Sequence, residues 1–259
     1  MKKYKTILLK TVLITGASSG IGRALALLYA APDVTLLLAG RNAPRLDEVA
    51  ALCRQKGATV ETCAIDVTDR AAFEQKILGW DEQHPVDLVI ANAGVSGGTS
   101  MDAAQSEAQL REIINVNLIG TFNTVNPLLP HLRARKQGQI ALMSSMAGFR
   151  GMPNAPAYSV SKVAVRAYGD ALRPLLKPDG ITVSIIFPGF IKTPLTDVNT
   201  FPMPFLMDVD TAAAIIKRGL DAGKITIAFP WQMHIFCWLL GVMPRCAGDW
   251  LLGRAPRKN

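Results

Sequence analysis

The sequence predicts an α/β fold, a doubly wound, mostly parallel sheet of about seven strands with helices on both faces. Three observations carry this. Short apolar runs alternate with helical stretches along the chain, the pattern of strand–helix–strand units. The runs are apolar at nearly every position, as strands buried on both faces of a parallel sheet require. The first run ends in a glycine-rich turn that opens a helix, TGASSGIG at 15–22.

The first strand is TVLIT (11–15), and GIGRALALLYA (20–30) is the helix that leaves it. VTLLLAG (34–40) forms the second strand, with a helix around 43–56 behind it. TVETCAID (59–66) is the third, then a helix near 69–82. VDLVIANAG (86–94) is the fourth, ahead of a long helical stretch from about 106 to 136. GQIALMSS (138–145) is the fifth, and Tyr158 opens a helix ending near Leu176. ITVSIIFPG (181–189) is the sixth, followed by a loop rich in Pro and aromatics, a helix near 208–222 and a short strand ITIAF. With 259 residues, 49% hydrophobic, and no repeat or low-complexity tract, the chain reads as one domain over 1–259. A substrate lid at 190–207 and an apolar extension at 225–259 are its distinguishing segments.

Composition narrows the function classes. A net charge of +8 invites nucleic acid, but the basic residues are scattered and no nucleic-acid-binding signature is present. A ligand carrying several phosphates accounts for the charge better. Cys53, Cys63, Cys237 and Cys246 lack metal or disulfide spacing and read as buried thiols in a reducing compartment. His84, His131 and His234 are too dispersed for a zinc site or a Ser-His-Asp triad, so no metal is expected. The start MKKYKTILLK has a basic region, but its apolar run is too short for a signal peptide, and a cytoplasmic protein is expected.

In the turn, Gly16, Ser18, Ser19, Gly20, Ile21 and Gly22 bring a helix N-terminus close to a bound diphosphate, where unpaired amides and the helix dipole favour negative charge. A purely structural turn is the plainer alternative, and the strand–turn–helix context weighs against it. The second strand ends in Gly40 and Arg41 with no carboxylate to hold ribose hydroxyls. Arginine's planar fork suits a 2′-phosphate, so NADP(H) is the expected cofactor and NAD(H) the alternative. An ordinary surface arginine would read the same. Asp66 and Val67 follow the third strand, where an adenine edge fits, and Asn92, Ala93 and Gly94 end the fourth.

Tyr158 and Lys162 lie four apart and share one helix face. Alone, the pair fits a solvated helix surface. Ser145 at the end of the fifth strand and Asn117 in NVNLIG bring further polar groups to the carboxyl rim of the sheet, where ligands of such folds bind. Ser145 as a strand-end hydroxyl and Asn117 as a helix-backbone partner are the plainer readings of each singly.

With TGASSGIG, NAG, NVNLIG, Ser145, YSVSK and FPGFIKT in this order from 11 to 194, the chain resembles the short-chain dehydrogenase/reductase family in its single-domain, Rossmann-type branch. One departure is Ala91, where the family commonly has a second asparagine. The resemblance implies an oxidoreductase of carbonyl groups and secondary alcohols. It makes Tyr158 the general acid or base, and Lys162 the cation that lowers its pKa and holds the nicotinamide ribose. It makes Ser145 the partner of the substrate oxygen, Asn117 the holder of a relay water, and Pro188, Gly189 and Thr193 neighbours of the nicotinamide. It also implies a homodimer or homotetramer, with the helices at 106–136 and 158–176 pairing across subunits. A non-catalytic NADP(H)-binding sensor or interaction protein is the alternative; the intact catalytic set argues against it.

Phe190 and Leu195, with Phe201, Phe205 and Leu206, suggest an apolar substrate, or a lid that merely packs. The stretch from Ile225 to Met243 contains no Lys, Arg, Asp or Glu, but Pro230, Gln232 and His234 interrupt it, so a membrane span is not expected. A subunit interface or cap is favoured for the extension, over peripheral contact with a membrane.

Overall fold

The computed structural model describes residues 10–96, 106–153, 155–197 and 202–253. The start up to residue 9, residues 198–201 of the segment expected to form a lid, with Phe201, and the tail from 254 lie outside them. Seven strands are described: β1 (Thr11–Thr15), β2 (Thr35–Ala39), β3 (Thr59–Cys63), β4 (Leu88–Ala91), β5 (Gly138–Met143), β6 (Ile181–Pro188) and β7 (Thr226–Phe229). They form one sheet in the order β3-β2-β1-β4-β5-β6-β7, every pairing parallel. The order reverses between β1 and β4, which opens a crevice at their carboxyl ends.

Each strand sends alternate residues to opposite layers. Val12, Ile14, Leu36, Leu38 and Ile90 pack under α1 (Gly20–Tyr29), α2 (Ala43–Gln55) and α8 (Val209–Asp221). Leu13, Leu37, Val89, Ile140 and Leu142 pack against α3 (Arg70–Gln83) and α7 (Pro156–Leu176) on the other face. Both sets are buried, which is why the strands read as continuous apolar runs.

The structure corrects several boundaries. Strands three and four are shorter than their apolar runs, so Asp66 and Asn92–Gly94 leave the ladder and enter the crevice loops. The predicted helix at 106–136 is broken into α4 (Glu107–Ile114), a π turn (Asn115–Ile119), α5 (Gly120–Val125), a 3-10 turn (Asn126–Leu128) and α6 (Leu129–Arg135). Pro127 and Pro130, which lack amide donors, fall at the lower breaks. The extension, assigned no helix from sequence, folds as α9 (Trp231–Val242) and α10 (Arg245–Leu252). Pro230 precedes α9, while Gln232 and His234 lie within its first turns and do not interrupt it. Cys246 is exposed, unlike the other three cysteines.

Candidate active site

The glycine turn spans the gap from β1 to α1 at the carboxyl edge. Gly16 and Gly20 take positive φ, 66° and 53°, which a side chain would strain. A Cβ on Gly22 would overlap the carbonyl oxygen of Gly16, and the Asn92 amide would lie 2.6 Å away. Ser19 precedes α1 without a side-chain cap, and the first turn has no acidic residue. The leading amides of α1 are thus offered to an anion, and the close-packed glycines form a cradle any Cβ would fill. This cradle fits a dinucleotide diphosphate. Gly22→Ala should cost about 1–3 kcal/mol of stability through this overlap. It should also weaken NADPH binding, both checked by urea unfolding with and without NADPH.

Asn92 and Ala93 hold the turn from the neighbouring strand. Both their amides donate to Thr15 Oγ1, at 3.0 and 3.1 Å, and Asn92 Nδ2 donates to the Thr15 carbonyl at 2.9 Å. The Asn92 side chain is therefore a clamp on the turn. Thr15 is a positioning residue that sequence reasoning missed, although it stands immediately before Gly16.

On the other side of the crevice, Arg41 follows β2. Ser18 lies over Gly40, its Oγ 3.3 Å from where a Cβ would be. Arg41 Nη1 is 3.5 Å from Asp66 Oδ2, an exposed ion pair of small energetic weight. Asp66 Oδ1 also accepts from the amide and hydroxyl of Thr68. Val67 is buried against Gly120, so its side chain belongs to the core, and Ile21 packs on the opposite core layer.

Ser145, Tyr158 and Lys162 converge beyond β5 (with Ser144 beside them). Ser145 starts a 3-10 turn (Met146–Gly148), and its Oγ accepts from the Ala147 amide at 3.2 Å. Tyr158 is half-buried, and its phenol lies beside the Ser145 side chain. Lys162 is 4% exposed; its Nζ donates to the Met143 carbonyl at 2.8 Å and lies 5.6 Å from the Tyr158 ring centre. Burial draws the Lys162 ammonium down to about 8. Burial also raises the Tyr158 phenol above its ordinary value, with the Ser145 side chain opposing it. The lowering was expected of Lys162 together with the positive nicotinamide ring; in the chain alone, burial is the largest influence on the phenol.

Asn117 is 1% exposed, inside the π turn. Its Oδ1 accepts from Val95 N at 2.8 Å, and its Nδ2 donates to Val95 O and Ser161 Oγ, each at 3.0 Å. The amide nitrogen is thus committed to fixing the loop after β4. Only a second lone pair on Oδ1, or on its carbonyl that already accepts from Thr121, remains for a relay water. Gly94 lies between these groups: a Cβ there would be 3.2 Å from Asn117 Oδ1 and 3.6 Å from Lys162 Nζ. Two further positioning residues were missed. Ser161 Oγ donates to Tyr158 O at 2.7 Å, and Ser144 Oγ donates to Lys162 O at 2.9 Å. Ser161 was legible in principle, since it lies three residues after Tyr158.

Pro188 ends β6, and the Gly189 amide donates to Phe229 O at 2.8 Å. Thr193 reaches across to Gly20, with its Cγ2 3.3 Å from a Cβ placed there, so the segment after β6 touches the glycine turn. Phe190 O accepts from Met207 N, while Leu195 is exposed. Met233 of α9 packs on Gly189, and His234 stacks on Phe149, which follows the Ser145 turn. The wall of the crevice is thus partly built by the extension.

The short chain dehydrogenase family profile matches residues 10–201. The chain belongs to the short-chain dehydrogenase/reductase family. An uncharacterized oxidoreductase of Myxococcus xanthus is 40% identical over 91% of this chain and 93% of its own. A 3-dehydrosphinganine reductase of Arabidopsis thaliana is 32% identical over 89% of this chain and 72% of its own. The structure of a Sphingobium yanoikuyae short-chain dehydrogenase in complex with NADPH superposes with a TM-score of 0.77 at 28% identity, covering 92% of this chain and 97% of that one. The protein is therefore a short-chain oxidoreductase with a Rossmann-type site for a nicotinamide dinucleotide.

Proposed function

We propose that this short-chain dehydrogenase/reductase prefers NADP(H) and interconverts a carbonyl and a secondary alcohol on an apolar substrate, with Tyr158 transferring the proton. One observation carries the reading. The Tyr158 phenol lies beside Ser145 and 5.6 Å, ring centre to Nζ, from the buried Lys162 amine, on the rim that holds the glycine turn. A bound NADP(H) supplies or accepts the hydride. The α1 amides with Ser18 and Ser19, and the loop Asn92–Gly94, are placed to hold it, as are Lys162 and the segment Pro188–Thr193.

In reduction, Ser145 steadies the substrate oxygen while Tyr158 donates its proton to it; in oxidation Tyr158 takes the proton back. Lys162, charged below about pH 8, favours the phenolate that reduction leaves behind. Asn117 orders the loop beside the amine and offers a lone pair to a water that reprotonates the site. Phe190, Leu195 and the α9 wall of Met233 face the apolar body of the substrate. A keto group on a long apolar body, as the name of the 3-dehydrosphinganine reductase implies, is the chemistry that suits them.

Arg41 supports the choice of NADP(H). Swinging from Asp66 to a 2′-phosphate would exchange a weak exposed ion pair for charge-assisted bonds. Arg41→Ala should weaken NADPH roughly tenfold or more and leave NADH nearly unchanged. Fluorescence titration with both nucleotides checks this; equal losses, or a parent protein that prefers NADH, would contradict it. Exposed Leu110 on α4 and Val160, Val163 and Leu175 on α7 supply an apolar face for a homodimer or homotetramer. The unpaired cysteines suit the cytoplasm.

A further inference from the structure

Helix α9 contains no charged residue, yet among its twelve residues only Cys237 and Leu240 are buried. A helix apolar all round belongs inside protein or against lipid. Trp231, Ile235, Trp238 and Val242, spaced four, three and four apart, make one stripe and are 50–66% exposed. Phe236 and Leu239 flank it at 51% and 48%. Of the four tryptophans, Trp80 is in the core; the other three lie on α9 and α10 and are each more than half exposed.

The pair of helices is a fixed platform. Arg150 Nη1 donates to the carbonyls of Leu240 and Met243 at 3.0 and 3.3 Å, closing the end of α9. Its Nη2 donates to Arg245 O at 3.1 Å and to Asp249 Oδ1 at 3.0 Å, which anchors α10. On its inner side α9 packs through Met233 and Cys237 onto Met146, Phe149 and Phe187, next to Ser145.

Charge chooses the occupant. Between Asp221 and Asp249 the only charged residues are Lys224 and Arg245, and Asp249 is paired with Arg150. Arg254, Arg257 and Lys258 follow, outside the described residues. A second copy seated on this surface would set Arg245 against its own counterpart, with no free carboxylate among the described residues of α9 and α10 to answer it. Anionic headgroups answer Arg245 on α10, and exposed tryptophans suit the headgroup level. Twelve helical residues span roughly 18 Å, so α9 lies in the interface and does not cross it.

We propose that α9 and α10 dock on an anionic lipid bilayer, which sets the crevice beside Ser145 and Tyr158 at the lipid surface. The first half stands on this surface alone; the second rests on the proposed reaction with an apolar substrate. The test is flotation of the full-length protein with phosphatidylcholine vesicles, with and without phosphatidylserine, in the absence of nucleotide. Tryptophan emission and quenching by brominated acyl chains are read alongside. The expected result is flotation with the phosphatidylserine vesicles, weakened by salt, with a blue shift and quenching. The double variant Trp238→Glu, Val242→Glu should lose roughly tenfold or more of the bound fraction while keeping its melting temperature and NADPH affinity. No flotation, or equal flotation without phosphatidylserine, overturns the proposal. So does a variant that changes oligomeric state while the parent ignores vesicles, which would make this face a subunit interface. Vesicle binding is read without substrate, so loss of the proposed reaction and loss of docking are separate outcomes.

Discussion

Tyr158→Phe should lower turnover of a hydrophobic ketone by roughly 10²–10⁴-fold while NADPH affinity stays nearly unchanged. The substitution removes one oxygen and keeps the ring, so α7 and its bond from Ser161 to the Tyr158 carbonyl are untouched. What is lost is the proton and the contact with Ser145. Because burial holds the phenol above its ordinary value, it is a protonated donor at neutral pH, ready for reduction. The reverse direction needs the phenolate, so alcohol oxidation should rise with pH more steeply than ketone reduction. Steady-state rates in both directions and a nucleotide titration check the set. Parental turnover in the Phe variant would remove Tyr158 from the chemistry.

Lys162→Met should separate activity from stability, and pH exposes the separation. The amine is almost fully buried, has the Met143 carbonyl as its acceptor, and titrates at about 8 against an ordinary value of 10.5. The unfolded chain therefore holds that proton more tightly, and stability from this group rises as pH climbs from about 8 to 10.5. The gap corresponds to roughly 3 kcal/mol of penalty at neutral pH. Methionine removes the charge but leaves the Met143 carbonyl without this donor, a cost of about 1–3 kcal/mol. At pH 7 the variant should be as stable as the parent or more so. Its relative stability should then decline toward pH 10 as the parent sheds the proton on its own. Turnover should fall roughly 10²-fold or more. Urea midpoints at the two pH values, with rates alongside, decide it; uniform destabilisation at both, or unchanged turnover, would contradict the role given to the amine.

The sheet was legible because its strands are buried on both faces, so VLI and LLL runs announce themselves without help from context. The glycine turn and the Tyr158–Lys162 spacing were legible because their chemistry is local. Contacts between distant segments were not. Thr15 meets Asn92 across 77 positions, and Asn117 meets Ser161 across 44, and no local pattern marks a hydroxyl as a clamp. The bond that Arg41 makes to Asp66 was hidden for the same reason. The breaks at 115–119 and 126–128 escaped notice because the apolar periodicity runs through them. The extension misled in another way: apolar composition predicts burial, but whether a helix finds cover depends on what packs there, and α9 finds cover on one side only.

The most direct test of the central claim follows the hydride and the proton together. The protein is incubated with NADPH deuterated at the transferable position of the nicotinamide and a series of apolar ketones, and the alcohols are examined by mass spectrometry. The account predicts one deuterium on the carbinol carbon with the parent protein and almost none, at matched NADPH occupancy, with Tyr158→Phe. Deuterated alcohol formed equally fast by the Phe variant, or no labelled alcohol from any ketone by a parent that binds NADPH, would contradict it.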